Sequence, residues 1–281
     1  MGGINFNREK TASRLLALEQ YARASGISPS DFRCHWLRDC DSSLGANLQL
    51  RKENCGGLAH VGEEYDVFMN GQELRVLFVG KDYGRGNSEV RQRQTDIQTY
   101  LGEPNPHYKG IIKVLMEVFQ ERCDKNSWRY LLRRMAQTNA TRCAAPRESA
   151  KGNSLRKSNI TRTMRMNCWD HFKKEIEVLE PTLIWFHDAD AQSSFIQAIR
   201  REGLSPTLPF EQLQECQQVE WTIFLTPFTS VLAFFHHPAF RHFGRQWGLA
   251  TGVIARLRRE GHLPAFSNEW KPLGKEEWPT L

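Results

Sequence analysis

The chain lacks any long apolar run; nowhere in its 281 residues does an uninterrupted hydrophobic stretch approach the length that crosses a bilayer. The opening segment, MGGINFNREKTASRLLALEQYARASG, has no apolar core of signal-peptide type. Together these two absences predict a soluble, cytoplasmic protein with no membrane partner. Cysteine is scarce as well. Seven residues, an odd number and widely scattered, cannot build a disulfide scaffold. In a reducing compartment, clustered cysteines point to metal and isolated ones to small core residues. Internal repeats and long low-complexity tracts are also missing. So is the G-x-S-x-G elbow of the α/β hydrolases.

Aromatic residues are plentiful, with eight Trp and sixteen Phe, and 40% of the chain is hydrophobic. That is enough for one substantial core. A net charge of +6 and a pI near 9.0 favour an anionic partner such as nucleic acid. Residues 8–25 carry Leu15, Leu16, Leu18, Tyr21 and Ala22 at helical spacing and stop at Gly26. The run LRVLFVG (74–80) predicts a buried strand, GIIKVLMEVFQERC (110–123) a helix and MAQTNATRC (135–143) a more polar strand. CWDHFKKEIEVLE (168–180) predicts a helix stopped by Pro181, and TLIWFH (182–187) a strand. A helix over 188–203, one or two strands over 221–238 and a basic helix over 243–261 complete the pattern. Strands alternating with helices predict an α/β sandwich around a mostly parallel sheet of about four strands, covered on both faces. The whole chain reads as one such domain. Residues 1–73 form a helical, cysteine-bearing extension, and the Arg- and Lys-rich stretch 144–167 is a basic insert suited to phosphates.

Ligands of such sheets sit beyond the carboxyl ends of the strands, so the strand exits are where chemistry is expected. The first exit reads GKDYGRGN (80–87). It lacks the Gly-Lys-Ser/Thr ending of a triphosphate loop and the spaced glycines of a dinucleotide fingerprint, and its acid, Asp82, would repel a phosphate. By itself it is a turn with Asp82 as a cap. A second exit, AFFHHPAF (233–240), places His237 before a proline. A third, QTNATRCAAP (137–146), carries Asn139, whose amide offers two donors and an acceptor for reading a base edge or for satisfying a turn. Tyr108, in NPHYKG (105–110), is placed either to stack on a planar ligand or to pack beneath its loop.

In this order the four stretches resemble the uracil-DNA glycosylase superfamily, over residues 74–240. The resemblance implies the three-layer α/β/α sandwich of that superfamily and excision of a flipped base from DNA. It gives Asp82 the role of activating or positioning water and His237 that of stabilising the departing base. Gly80, Tyr83, Tyr108 and Asn139 become the base pocket. Phe240 or Arg241 would wedge into the duplex. NATRCAAP and CWDHFKKEIEVLEPTLI look most like the thermophile-type branch, which implies a [4Fe–4S] cluster. Its implied ligands are Cys40, Cys55, Cys143 and Cys168, with Cys34 as alternate, because the Cys-x-x-Cys pair usual in that branch is absent here. Zinc, or no metal, remains an alternative. Cys123 and Cys216 are expected to be structural. Lys81 and Tyr83 depart from the usual pattern, which leaves the identity of the base open between uracil, another damaged pyrimidine and modified bases of phage DNA. A monomer is expected. A nucleic-acid-binding protein that keeps the pocket without catalysis is the rival from another class.

Overall fold

A computed structural model describes residues 4–28, 31–45, 50, 55–80, 106–124, 127–143, 160–186, 191, 195, 197–198, 201–202, 211–213, 218–225, 228–234, 243–265 and 270–273. The fold is mixed α/β. A short antiparallel sheet joins β1 (Ile4–Phe6), β3 (Val67–Met69) and β4 (Gln72–Leu74). The larger sheet contains β2 (His60–Val61), β5 (Val76–Gly80), β6 (Met135–Asn139), β7 (Leu183–Phe186), β8 (Glu211–Leu213), β9 (Gln218–Leu225) and β10 (Phe228–Phe234). Its order is β2-β6-β5-β7-β10-β9-β8. The four central strands β6, β5, β7 and β10 are mutually parallel, and the outer strands β2, β9 and β8 pair antiparallel. The sheet is thus wider than the expected four strands, and its parallel character is confined to the centre. The difference arises because β9 and β8 extend one edge by antiparallel pairing beyond β10, and β2 pairs antiparallel with β6 on the other.

All five residues of β5 are buried, as its unbroken apolar run predicts for a strand covered on both faces. Val76 and Phe78 face one core with Leu183 and Trp185, beneath α3 (Pro106–Phe119) and α7 (Phe243–Arg259). Leu77 and Val79 face a second core with Ile184 and Phe186, beneath α1 (Arg8–Ala24) and α6 (Trp169–Leu179). Each fully buried Val, Leu or Phe contributes about 1.5–3 kcal/mol. Short helices α2 (Leu37–Ser42), α4 (Arg129–Leu132) and α5 (Arg162–Asn167) complete the described elements. Helix α5 lies in the basic stretch; Thr161 caps it by accepting from the Met164 N–H, and Met164 is fully buried.

The face that α1 buries differs from its apolar residues. Thr11, Arg14, Leu18 and Ala22 point inward, while Leu16 is 56% exposed. The reason is a buried carboxylate. Asp66 accepts from the Thr11 hydroxyl at 3.0 Å and from Arg14 Nε at 3.1 Å, and Arg14 also reaches Glu180 Oε2 at 2.8 Å. Arg75 and Lys10 add Glu73 to this ionic group at the amino edge of the sheet. The hydrogen bond from Arg75 holds the Glu73 carboxyl at about 2, below its ordinary 4.5. The Arg14 hydrogen bond lowers Glu180 in the same way. A depressed carboxylate stabilises the fold above its unfolded pKa and loses that contribution as pH falls towards its folded value. Acid titration of the folded protein should therefore show stability falling from pH 4.5 towards pH 2. Glu73→Gln should flatten the Glu73 part of that slope.

Gly62 makes a second constraint. Its N–H donates to Met135 O at 2.9 Å, and a Cβ at this position would overlap the Arg133 carbonyl. Gly62→Ala should cost about 1–3 kcal/mol through forced backbone movement, read as a lower denaturation midpoint with unchanged m-value.

Candidate functional site

Parallel strands end on one edge, so the exits of β5, β6, β7 and β10 share the carboxyl side of the sheet. Gly80 and Asn139 are register partners at the ends of β5 and β6, and the Ala140 N–H donates to Gly80 O at 2.9 Å. Asn139 is 9% exposed and Thr138 behind it 2%, so both are largely buried at the strand exit. Two exits away, Phe234 ends β10 opposite Phe186 of β7. Helix α3 is the return limb of the β5-to-β6 crossover. Its far end meets Arg134, just before β6, through Phe119, and Glu121 just beyond the helix pairs with the same side chain. Its first turn, with half-buried Tyr108, therefore lies towards the carboxyl edge. Gly80, Asn139 and Tyr108 thus belong to one side of the molecule. Asp82, Tyr83, His237, Phe240 and Arg241 lie outside the described residues, as does residue range 144–159 of the basic stretch.

Four cysteines from separate segments meet beside this edge. Cys40 on α2, Cys55, Cys143 just past β6 and Cys168 at the start of α6 are each no more than 6% exposed. All six described cysteines are free thiols. Cys55 and Cys143 form an antiparallel bridge and their thiols hydrogen-bond each other. That bond and burial push the Cys143 thiol well above its ordinary range. Burial pushes Cys40 up to about 11 and raises Cys168, and Cys143 adds to both. Cys168 stands between α5 and α6 without a side-chain capping bond, and desolvation dominates its shift. At pH 7 the Cys40, Cys143 and Cys168 thiols hold their protons.

The donors around them nevertheless suit thiolates. Asn167 Nδ2 donates to Cys40 Sγ at 3.5 Å, and the Arg142 N–H donates to Cys168 Sγ at 3.4 Å. The set fits a soft-metal or iron–sulfur centre in donor type, since four sulfurs converge with N–H groups already aimed at two of them. Among the described residues no three His, Cys, Asp or Glu side chains have the spacing of a preformed metal site. Cys34, half-buried, sits nearby against His171 Nε2 at 3.7 Å. His171 also meets the Tyr21 hydroxyl at 2.9 Å, and burial beside the Arg142 charge pushes it down to about 4, so it is neutral at pH 7. Cys123 packs against the first core, as expected of a structural thiol.

Sequence reading misses the group that joins these two regions. Arg142 and Glu175 form an ion pair at 2.5 Å with side chains 1% and 0% exposed. Arg142 Nη1 also donates to Thr138 Oγ1 at 2.7 Å, and the Thr138 hydroxyl donates to the same Glu175 oxygen at 2.6 Å. The other Glu175 oxygen accepts the Ala59 N–H at 2.9 Å. A signal was available: Glu175 interrupts the inward stripe Phe172, Ile176, Leu179, and an acid on such a stripe implies a buried partner. No protein-family model matches the chain, and no curated protein matches it.

Proposed function

We propose that the chain is a monofunctional DNA glycosylase on a three-layer α/β/α fold of the uracil-DNA glycosylase type, acting as a cytoplasmic monomer. The observation that carries this reading is the pairing of Gly80 with Asn139 at adjacent parallel strand exits, with Tyr108 towards the same edge. Asp82 follows Gly80 by two positions, and His237 follows the end of β10 by three.

Breaking an N-glycosidic bond builds positive charge on the sugar and negative charge on the base. Asp82 would stabilise the first and orient water, and His237 would donate to a base carbonyl and stabilise the second. Neither role is needed by a protein that only binds. The base must leave the stack, so Tyr108 supplies a face and Asn139 an edge to read, while Phe240 or Arg241 fills the vacated space. Tyr83 sets which base enters. The basic stretch 144–167 and α7, through exposed Arg259 in its last turn, contact phosphates without reading sequence.

Cys40, Cys55, Cys143 and Cys168 would hold a [4Fe–4S] cluster, with Cys34 beside it. When bound, the cluster supplies a covalent tie between the α2 region, the β6 exit and the start of α6. The thiols, rather than a catalytic step, are this chain's contribution there.

A panel of single- and double-stranded oligonucleotides carrying uracil, other lesions or modified cytosines tests the reading through abasic-site formation. Turnover of at least one base is expected. Binding without turnover on every member would make the chain a nucleic-acid-binding protein instead. Asn139→Ala should raise KM and narrow the preference between bases, with a loss of about 1–3 kcal/mol for the reading bonds left unmade. Equal turnover of all bases by both proteins would remove Asn139 from the pocket.

A further inference from the structure

Charged pairs sealed from water are seldom stabilising compared with apolar residues of the same size, so a buried Arg–Glu pair calls for another reason. Arg142 stands at a junction. Its main-chain N–H bonds Cys168, its chain neighbour is Cys143, and its guanidinium holds Thr138, the neighbour of Asn139. Glu175 closes the triangle and also fixes Ala59, four positions beyond Cys55. One carboxylate therefore ties together the chain leading from Cys55, the strand that ends at Asn139 and the turn that carries Cys143.

We propose that Arg142 is a positioning residue that couples occupancy of the cysteine site to the placement of Asn139 at the end of β6. The proposal rests on the reading of the four cysteines as metal ligands. Drawing Cys143 and Cys168 onto a metal fixes the Arg142 main chain between them. The guanidinium, held on Glu175, then fixes Thr138, and with it the register that sets Asn139 beside Gly80. Loss of the metal frees both sulfurs and loosens this end of β6 before the rest of the sheet. The cysteine centre thereby acts on base reading through structure, without any electron leaving it.

Hydrogen–deuterium exchange on the full-length protein, prepared anaerobically and then depleted by a chelator, tests the coupling. In the wild type, removing iron or zinc should speed exchange of peptides spanning 135–143 by about tenfold, the mark of a local opening. A reference peptide from the fully buried stretch 110–119 of α3 should stay unchanged. Thr138→Val cuts the link while leaving the Arg142–Glu175 pair and every thiol in place. It should retain the wild-type metal content yet show the fast exchange of 135–143 with metal bound. Thr138→Ala, which removes the same hydroxyl and keeps the Arg142–Glu175 pair, should do the same and serves if Thr138→Val folds poorly. Exchange of 135–143 that ignores metal content in the wild type overturns the coupling while leaving the metal reading intact. Thr138→Val and Thr138→Ala proteins that both keep the wild-type response overturn the role of Arg142. A wild type that takes up neither iron and sulfide nor zinc overturns the metal reading, and the coupling with it.

Discussion

If the chain is the glycosylase proposed above, Asp82→Asn should lower single-turnover abasic-site formation by about 10²- to 10⁴-fold, the range a positioned acid or base supplies, with DNA binding nearly unchanged. The substitution conserves shape and removes one negative charge. In the proposed mechanism substrate and transition state differ in the charge developing on the sugar, a charge that a carboxylate at position 82 would meet and an amide would not. The loss should therefore fall on kcat, with KM held. His237→Ala should give a loss of similar size through the opposite end of the bond, where the base leaves as an anion. The two residues follow different strands, β5 and β10, so a rate loss from both would itself indicate that both exits serve one pocket. Undiminished turnover in Asp82→Asn would falsify the mechanism.

Glu175→Ala destabilises the protein by about 3–5 kcal/mol, since it leaves the Arg142 guanidinium sealed from water without its carboxylate. It also strips acceptors from the Thr138 hydroxyl and the Ala59 N–H. Against a typical total of about 5–15 kcal/mol this is a large fraction, and the melting temperature should drop by roughly 10 °C. Replacing Arg142 and Glu175 together by Met should recover much of the loss, because no charge is then left unpaired. Urea denaturation with tryptophan fluorescence reads both variants. A cost below about 1 kcal/mol for Glu175→Ala would show that water reaches the pair.

How much of this was legible in the sequence depends on whether a feature is local. The β5 run is apolar throughout because both of its faces are covered, and its strand could be read without a partner. Helix α3 was displaced by four residues at its start. Proline occupies its first position, where the missing N–H costs nothing, and Gln120 at φ 55° ends it. Helix α6 ends one residue before its expected stop. Glu180, at φ 46°, takes the left-handed conformation that a glycine would usually hold, with its carboxylate paired to Arg14 across the sequence. The same holds for the inward face of α1, which follows Asp66 rather than leucine. The convergence of Cys40, Cys55, Cys143 and Cys168 was expected only through family resemblance. Composition offered no local pattern for it, and the choice between Cys34 and Cys40 turns on packing that no spacing encodes. The Arg142–Glu175–Thr138 group was missed because each member is an ordinary polar residue until the other two arrive.

The third core, where Cys40, Cys55 and Cys143 lie with Ile27, Phe32 and Met164, draws most of its members from the stretch 21–58. Bringing Cys143, Ile160 and Met164 onto that stretch closes a long loop, whose entropy is lost before these contacts form. This corner should therefore form late, after the parallel strands have docked. In kinetic terms the molecule would then mature in two stages, the sheet first and the cysteine corner after it; on the reading proposed above, metal completes the second. On that reading, a shortage of the metal would leave a chain whose sheet has matured and whose base-reading edge has not.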